Sequence, residues 1–538
     1  MMWPAFTGST NGSPFKIWSG DCSFTPGFST TFSPHKGYPM TEVAKETTGT
    51  LDASQEESML KIGLKPFLTA FGILLLLIVF SGLLTRWIPA GAYQRVEADG
   101  RMAVVAGSFE YLEEAAFPVW RWFTAPVEVI WGDNWLMILV LSLFMIFLGG
   151  SFTVLERGGV LQEILAVTVL KFRANKYRLM GVMIFVMMFL AAFVGVYEAL
   201  VPLIVIIVPL SLALGWDSLT GLGMSMLALT FGFSAAVTNP FTIAVAQELS
   251  DLPLFSGAWF RILFFIATYI LCYTFVSRYA RRIEADPSKS PVYEADNRIR
   301  DRFSVEKILG AHTENDTKKV RAALWFGVCL GIAIVFMILA GLIPALPSDA
   351  AFPTVALLFL IGGTGAGRIV GYSWQELLQV LTSGAMAMLP GIALILMAMS
   401  VPHIMTRGHV MDTILFYASN AIEGTNPFQA AFYIYLLTLA LNFFISSASA
   451  KAFLVMPIIA PLADLVGLTR QTAVFAFDLG DGFSNMIFPT NALLLIGLSF
   501  TVVSYPRWMR WTWKMQVGIA TLSMIFLMIA VAIRFGPF

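Results

Sequence analysis

The sequence is poor in charge, cysteine and histidine, and each shortage removes a class of function. Only 13% of the residues are charged while 57% are hydrophobic, a balance that a soluble surface and core cannot accommodate. Basic and acidic residues both number 34, so no net field favours nucleic acid. Cys22, Cys272 and Cys329 are far apart and form no C-x-x-C, which suggests neither a disulfide framework nor a zinc site. Of the four histidines, only His403 and His409 lie close together, and neither belongs to an H-E-x-x-H motif. Residues 1–39 lack the basic-then-apolar layout of a secretory signal and are rich in Ser, Gly, Pro and Phe. Met40 opens a more ordinary polar leader and could be the true start. Residues 1–60 as a whole are expected to be disordered.

What is present is a succession of apolar runs. Full membrane spans are predicted at 67–88, 134–155, 218–249, 258–276, 322–345, 352–368, 385–404, 471–500 and 517–531. Between them lie two apolar pairs, 179–214 and 428–465, broken at Gly195 to Glu198 and at Ser446 to Lys451. Each half is short for a span, so both pairs are read as re-entrant hairpins, whose tips must be satisfied by protein or a water-filled cavity. Residues 90–133 read as a mixed polar segment whose Trp-bearing end, 125–131, suits the membrane interface. Residues 374–381 read as a separate amphipathic piece. The basic clusters near Lys61, Arg173, Arg281 and Arg510 mark the cytoplasmic side, placing the N-terminus inside and the C-terminus outside a cytoplasmic membrane. The expected organisation is a leader (1–60), a first transmembrane half (61–276), a solvated cytoplasmic linker (277–321) and a second half (322–538).

The two halves repeat. Shifting the chain by 252 positions brings Ile206, Pro209, Gly215, Thr220, Phe231, Thr238 and Asn239 onto Ile458, Pro461, Gly467, Thr472, Phe483, Thr490 and Asn491 without a gap. A shift of 250 also brings Arg157-Gly158 and Val160 onto Arg407-Gly408 and Val410. The span at 352–368 has no counterpart in the first half, so the second copy starts from the opposite side and the repeats are inverted. Matching hydrophobic segments interrupted by Gly, Pro and small polar residues point to a transport site.

At the breaks Thr238-Asn239-Pro240 and Pro489-Thr490-Asn491, proline removes a helix donor and frees backbone groups to face a solute or ion. Thr238, Asn239, Thr490 and Asn491 add hard oxygen ligands suited to Na⁺, or simply cap the breaks. Ser446, Ser447 and Ser449 at the second tip offer donors for a carboxylate. Glu198 and Lys451 stand at the two tips, and a charge at membrane depth costs about 2.5–3.5 kcal/mol on insertion scales. They suit a zwitterionic or charged amino-acid solute, or else pair with each other across the tips or stand at the water line. Asp478 and Asp481 share a helix face and are candidate proton or cation carriers, whereas their repeat counterparts Met226 and Leu229 are apolar.

Several motifs resemble the YfcC-type carriers of the ion-transporter superfamily, which includes C4-dicarboxylate carriers and AbgT-type transporters. They are Asn239-Pro240-Phe241, Ala246-Gln247, Ser256-Gly257, Met456-Pro457, Ala460-Pro461-Leu462, Asp464-Leu465-Val466-Gly467 and Gly480-Asp481-Gly482-Phe483-Ser484. The chain departs from that pattern at Tyr197, Lys451 and Asp478. The resemblance implies a homodimeric, elevator-type secondary carrier for a dicarboxylate or basic amino acid, and no enzyme activity. It also implies no cofactor beyond Na⁺ or H⁺ as coupling ion. The expected fold is therefore all-α and polytopic, with inverted repeats that each hold a hairpin and a broken helix. The expected solute bears a carboxylate, and an amino acid fits the two signs of charge at the tips. A cation/proton antiporter using Asp478 and Asp481 is the alternative. A channel is disfavoured, because pores are usually lined by subunit symmetry rather than closed within an inverted repeat. An intramembrane aspartyl protease is disfavoured because Asp478-Leu479-Gly480-Asp481 lacks a Tyr-Asp partner motif.

Overall fold

A bilayer offers no water to the backbone, so each crossing segment satisfies its own peptide groups as a helix. The computed structural model describes residues 64–98, 101–113, 117–132, 135–300, 317–342 and 351–536. The predicted leader and the middle of the predicted linker lie outside these residues. Among the described residues, ten helices are long and apolar enough to cross a membrane.

In chain order the helices are α1 (Leu64–Trp87), α2 (Val119–Glu128), α3 (Trp135–Arg157), α4 (Val160–Phe172) and α5 (Lys176–Phe189). Next come α6 (Ile204–Ala213), α7 (Ser218–Leu222), α8 (Ala228–Ala235), α9 (Val245–Glu248), α10 (Ala258–Ala285) and α11 (Tyr293–Arg300). The second half holds α12 (Thr317–Leu342), α13 (Ala351–Val370), α14 (Trp374–Arg407), α15 (Met411–Ile422) and α16 (Pro427–Asn442). It ends with α17 (Ala448–Leu465), α18 (Arg470–Gly482), α19 (Ala492–Ser499) and α20 (Tyr505–Ala532).

Hairpin 1 is α5 with α6, and hairpin 2 is α16 with α17. The first broken helix is α7–α8 followed by α9; the second is α18 followed by α19. Two of the ten long helices, α5 and α17, are hairpin arms. The second broken helix is not among the ten, because residues 487–491 split it.

The repeat is visible in local geometry. Gly215 and Gly467, which end the two hairpins, are both left-handed, with φ of 86° and 73°. Only glycine adopts that conformation without strain. One residue pair later, Asp217 and Thr469 cap the next helices by accepting from the backbone N–H groups of Thr220 and Thr472. The weaker match at 250 positions also has a structural basis, since Gly159 and His409 are left-handed turns with φ of 71° and 51°. The five full crossings that follow α3, through the first broken helix, α10, α12, α13 and α14, leave α14 antiparallel to its counterpart α3. The repeats are inverted.

Helices α1, α2, α3, α12, α13 and α14 pack on one another as one group. The hairpins, broken helices, α10 and α20 form a second, and α4 and α15 run between them. Glycine lets the second group close up. A Cβ at Gly232 would collide with the Met188 carbonyl on hairpin 1, and one at Gly480 would press on the Tyr435 carbonyl of hairpin 2.

The mixed polar segment carries two antiparallel strand pairs, β1 (Gly91–Ala92) with β4 (Glu110–Tyr111) and β2 (Arg95–Ala98) with β3 (Arg101–Val104). The interfacial Trp-bearing stretch begins earlier, as the helix α2 from Val119. The amphipathic piece at 374–381 is not separate but is the first part of the 34-residue helix α14, started by a Ser373–Glu376 capping box.

Part of the predicted solvated linker is docked instead. Helix α10 continues to Ala285, and the chain then folds back so that Ser290 and Asp296 are buried. Asp217 accepts from Tyr279 Oη at 2.5 Å and from Ser290 Oγ at 2.7 Å. Asp296 accepts from the Ser218 amide at 2.9 Å and from its hydroxyl at 2.5 Å. The start of the first broken helix is thereby clasped by the segment that follows α10.

Candidate functional site

Proline and asparagine build the two breaks in the same way. At the first, Asn239 Oδ1 accepts from the Phe241 amide at 2.9 Å; at the second, Asn491 Oδ1 accepts from the Leu493 amide at 2.9 Å. Each asparagine thus caps the half-helix that follows its break. The preceding threonines anchor the breaks to the hairpins: Thr238 Oγ1 donates to the Phe193 carbonyl at 2.9 Å, and Thr490 Oγ1 to the Phe443 carbonyl at 2.6 Å. Gly195, at the first tip, lies so close to Asn239 that a Cβ would strike its side-chain oxygen. In this conformation the side-chain oxygens of Thr238, Asn239, Thr490 and Asn491 are all engaged with backbone groups. Asn239 Nδ2 is buried and has no hydrogen-bond partner among the described residues.

The charged residues converge between the breaks, but not in the predicted pairing. Lys451 does not reach across to Glu198. It extends from the first turn of α17 and forms a salt bridge with Asp481 on α18, and it donates to Asn442 Oδ1 at 2.5 Å. Lys451 and Asp481 are almost wholly buried, at 0% and 1% exposure. The reason is desolvation: an ammonium at this depth needs an anion in direct contact, and Asp481 lies nearer than the other tip. Asn442 Nδ2 donates onward to Ser484 Oγ at 2.6 Å and Asn485 Oδ1 at 3.1 Å. Asn485 Oδ1 also accepts from Asn491 Nδ2 at 2.7 Å. One chain of polar groups therefore runs from the ion pair to the second break.

Asp478 is buried, and neither of its oxygens has a hydrogen-bond partner among the described residues. The nearby charges that act on it are Arg261 and Asp481. Arg261, from α10, is fully buried and donates to the carbonyls of Val237, Phe255 and Ser256 at 2.8–3.3 Å. It holds the backbone just before the first break. Glu198 is half-buried at the first tip, within electrostatic range of Asp481, and Tyr197 beside it feels both carboxylates. Ser446, Ser447 and Ser449 are half-buried at the second tip, where Ser447 Oγ accepts from the Ala450 amide at 3.4 Å.

The sequence reading missed Arg261, Asn442 and Asn485. For Arg261 the signal was available, since an ionisable residue inside an apolar span is a functional candidate by default. The motif residues find physical roles as well. Gln247 and Gln471 meet at 3.3 Å and share Ser256, joining the end of the first broken helix to the start of the second. Asp464 takes a two-pronged bond from Arg470, which also reaches Asp251 at 2.8 Å.

In all, three carboxylates (Glu198, Asp478, Asp481) meet two basic groups (Lys451, Arg261). Both basic groups are already engaged. Of the three carboxylates, Asp478 has no hydrogen-bond partner among the described residues, and the two capped half-helices carry N–H groups that favour an anion.

The chain is similar to several known proteins. The family model of the C4-dicarboxylate anaerobic carrier, DcuC, matches residues 67–532. A protein of Escherichia coli (strain K12), provisionally named basic amino acid antiporter YfcC, is 30% identical over 403 residues, 73% of this chain and 76% of its own. An uncharacterized protein of Haemophilus influenzae is 27% identical over 396 residues, 72% of this chain and 75% of its own. The solved structure of MtrF from Neisseria gonorrhoeae, described as illuminating a class of antimetabolite efflux pumps, aligns with a TM-score of 0.40 at 16% identity. That alignment covers 87% of this chain and 95% of MtrF.

Proposed function

The chain belongs to the C4-dicarboxylate anaerobic carrier (DcuC) family, as a YfcC-type carrier, and from that premise we propose that it exchanges an amino acid across the cytoplasmic membrane. Membership makes it a multi-pass membrane transporter. The choice of an amino acid over a dicarboxylate rests on one observation: Lys451 and Arg261 are both committed, while neither oxygen of Asp478 has a hydrogen-bond partner among the described residues. A dicarboxylate entering the site meets no free cation. An amino acid offers an ammonium, or a basic side chain, to the carboxylates and its own carboxylate to the half-helix N-termini and tip hydroxyls. The provisional name of the E. coli relative points the same way.

The movement we propose is an elevator. The hairpins and broken helices form a helical group of their own, and α4 and α15, repeat-related, run between it and the α1–α3, α12–α14 group. The α1–α3, α12–α14 group would be the scaffold and, in a homodimer, the dimer-forming part. The N-terminus lies in the cytoplasm and the C-terminus outside. Proton antiport without an organic solute would use Asp478 alone, because Asp481 is held by Lys451. The same commitment disfavours an aspartyl protease, which needs two available aspartates.

Glu198 tests the reading. With Glu198→Gln, counterflow should shift from basic toward neutral amino acids without loss of thermal stability. A loss of stability with unchanged selectivity would mean that Glu198 is structural.

A further inference from the structure

The Lys451 ammonium sits in an environment that would otherwise suit a small cation. It is fully buried and held by a carboxylate oxygen of Asp481 and the amide oxygen of Asn442, on two different elements. Carboxylate and amide oxygens from a hairpin and a broken helix are also what a transported Na⁺ would require at this point. The first repeat has nothing equivalent: the positions matching Asn442, Lys451 and Asp481 are Leu190, Ala199 and Leu229. Cation chemistry is confined to the second half, and there the cation is part of the chain.

The amide network makes this position consequential. Because Asn442 turns its oxygen to Lys451, it must turn its nitrogen to Ser484 and Asn485. Asn485 then presents its oxygen to Asn491, which keeps the Asn491 oxygen for capping α19. A cation at Lys451 thus fixes the orientation of each amide as far as the second break. In a symporter such an ion enters with the solute and leaves with it; a lysine does neither.

We propose that Lys451 is a tethered substitute for a coupling cation, so that solute exchange in this protein is independent of Na⁺ and removal of the lysine creates a Na⁺ site at Asp481 and Asn442. The proposal rests on the transporter reading above, but its test does not need transport to be observed. Without Lys451 the buried site holds three carboxylates against the single cation Arg261, which increases its demand for an added cation.

The experiment follows the thermal unfolding of purified wild type, Lys451→Gln and Lys451→Ala in NaCl and in choline chloride at equal ionic strength. The wild type should have the same midpoint in both salts. Each variant should be less stable in choline and gain stability with the logarithm of Na⁺ concentration, as expected for a ligand that binds only the folded state. A Na⁺-dependent wild type, or variants that are both indifferent to Na⁺ whether folded or not, would overturn the proposal. Failure of wild-type counterflow in liposomes would instead count against the carrier reading and leave the salt comparison intact.

Discussion

Gly482 lies directly against the backbone of Ser234, where a Cβ would collide with the Ser234 N, Cα and Cβ atoms. The two broken helices cross here, backbone to backbone. Gly482→Ala is therefore expected to lose about 1–3 kcal/mol, typical of overpacking a close-packed site. It should also lose transport, because separating the helices displaces Asp481 from Lys451. Thermal unfolding and counterflow measure the two effects.

Asn239→Ala and Asn491→Ala are not expected to be equivalent. Each removes a helix cap, worth about 1 kcal/mol. Asn491→Ala also removes the donor to Asn485 and cuts the link to the ion pair. Both variants should fold and lose uptake, with the larger fall in unfolding midpoint for Asn491→Ala. Normal transport by both would remove the breaks from the site.

The inverted repeat, hairpins and broken helices were legible because glycine, proline and the Thr-Asn pairs leave matching marks at fixed spacing. Gly215 and Gly467 show why: a left-handed hairpin end restricts the residue type on both copies. The charge pairing was not legible. Sequence position placed Glu198 and Lys451 at opposing tips, but partner choice in a dry interior follows distance, and Asp481 on the neighbouring broken helix is nearer. The docking of residues 286–300 was hidden by their polarity, since Asp296 reads as solvated until the donors of Ser218 are placed beside it.

Asp478→Asn sacrifices no hydrogen bond found among the described residues and removes a carboxylate that is costly to bury unpaired. Its unfolding midpoint should equal or exceed that of the wild type. If Asp478 contacts the solute or a proton, counterflow should fall at least tenfold, a loss of about 1.4 kcal/mol in transition-state terms. Unchanged counterflow would assign Asp478 no part in the cycle.

The clasp on the first broken helix should respond to pH. Burial, and then the charge of Asp217, push the Asp296 carboxyl up from 3.8 to about 7. A raised acid binds its proton more tightly in the folded state, so its stabilising contribution is fully present below about pH 4 and is lost as pH rises to about 7. Amide exchange in 286–300 should accelerate more steeply across that window in the wild type than in Asp296→Asn. Parallel profiles would show that Asp296 does not titrate there.

The central claim, amino-acid exchange at the paired breaks, is tested most directly by counterflow in liposomes. Labelled arginine, ornithine, glutamate, succinate and citrate would each be offered to the wild type and to Asn491→Ala, with and without Na⁺. The account predicts counterflow of at least one amino acid, indifferent to Na⁺ and abolished in Asn491→Ala. Counterflow of succinate or citrate without any amino acid would contradict the assignment of the solute, and dissipation of a pH or Na⁺ gradient with no counterflow would contradict the carrier itself.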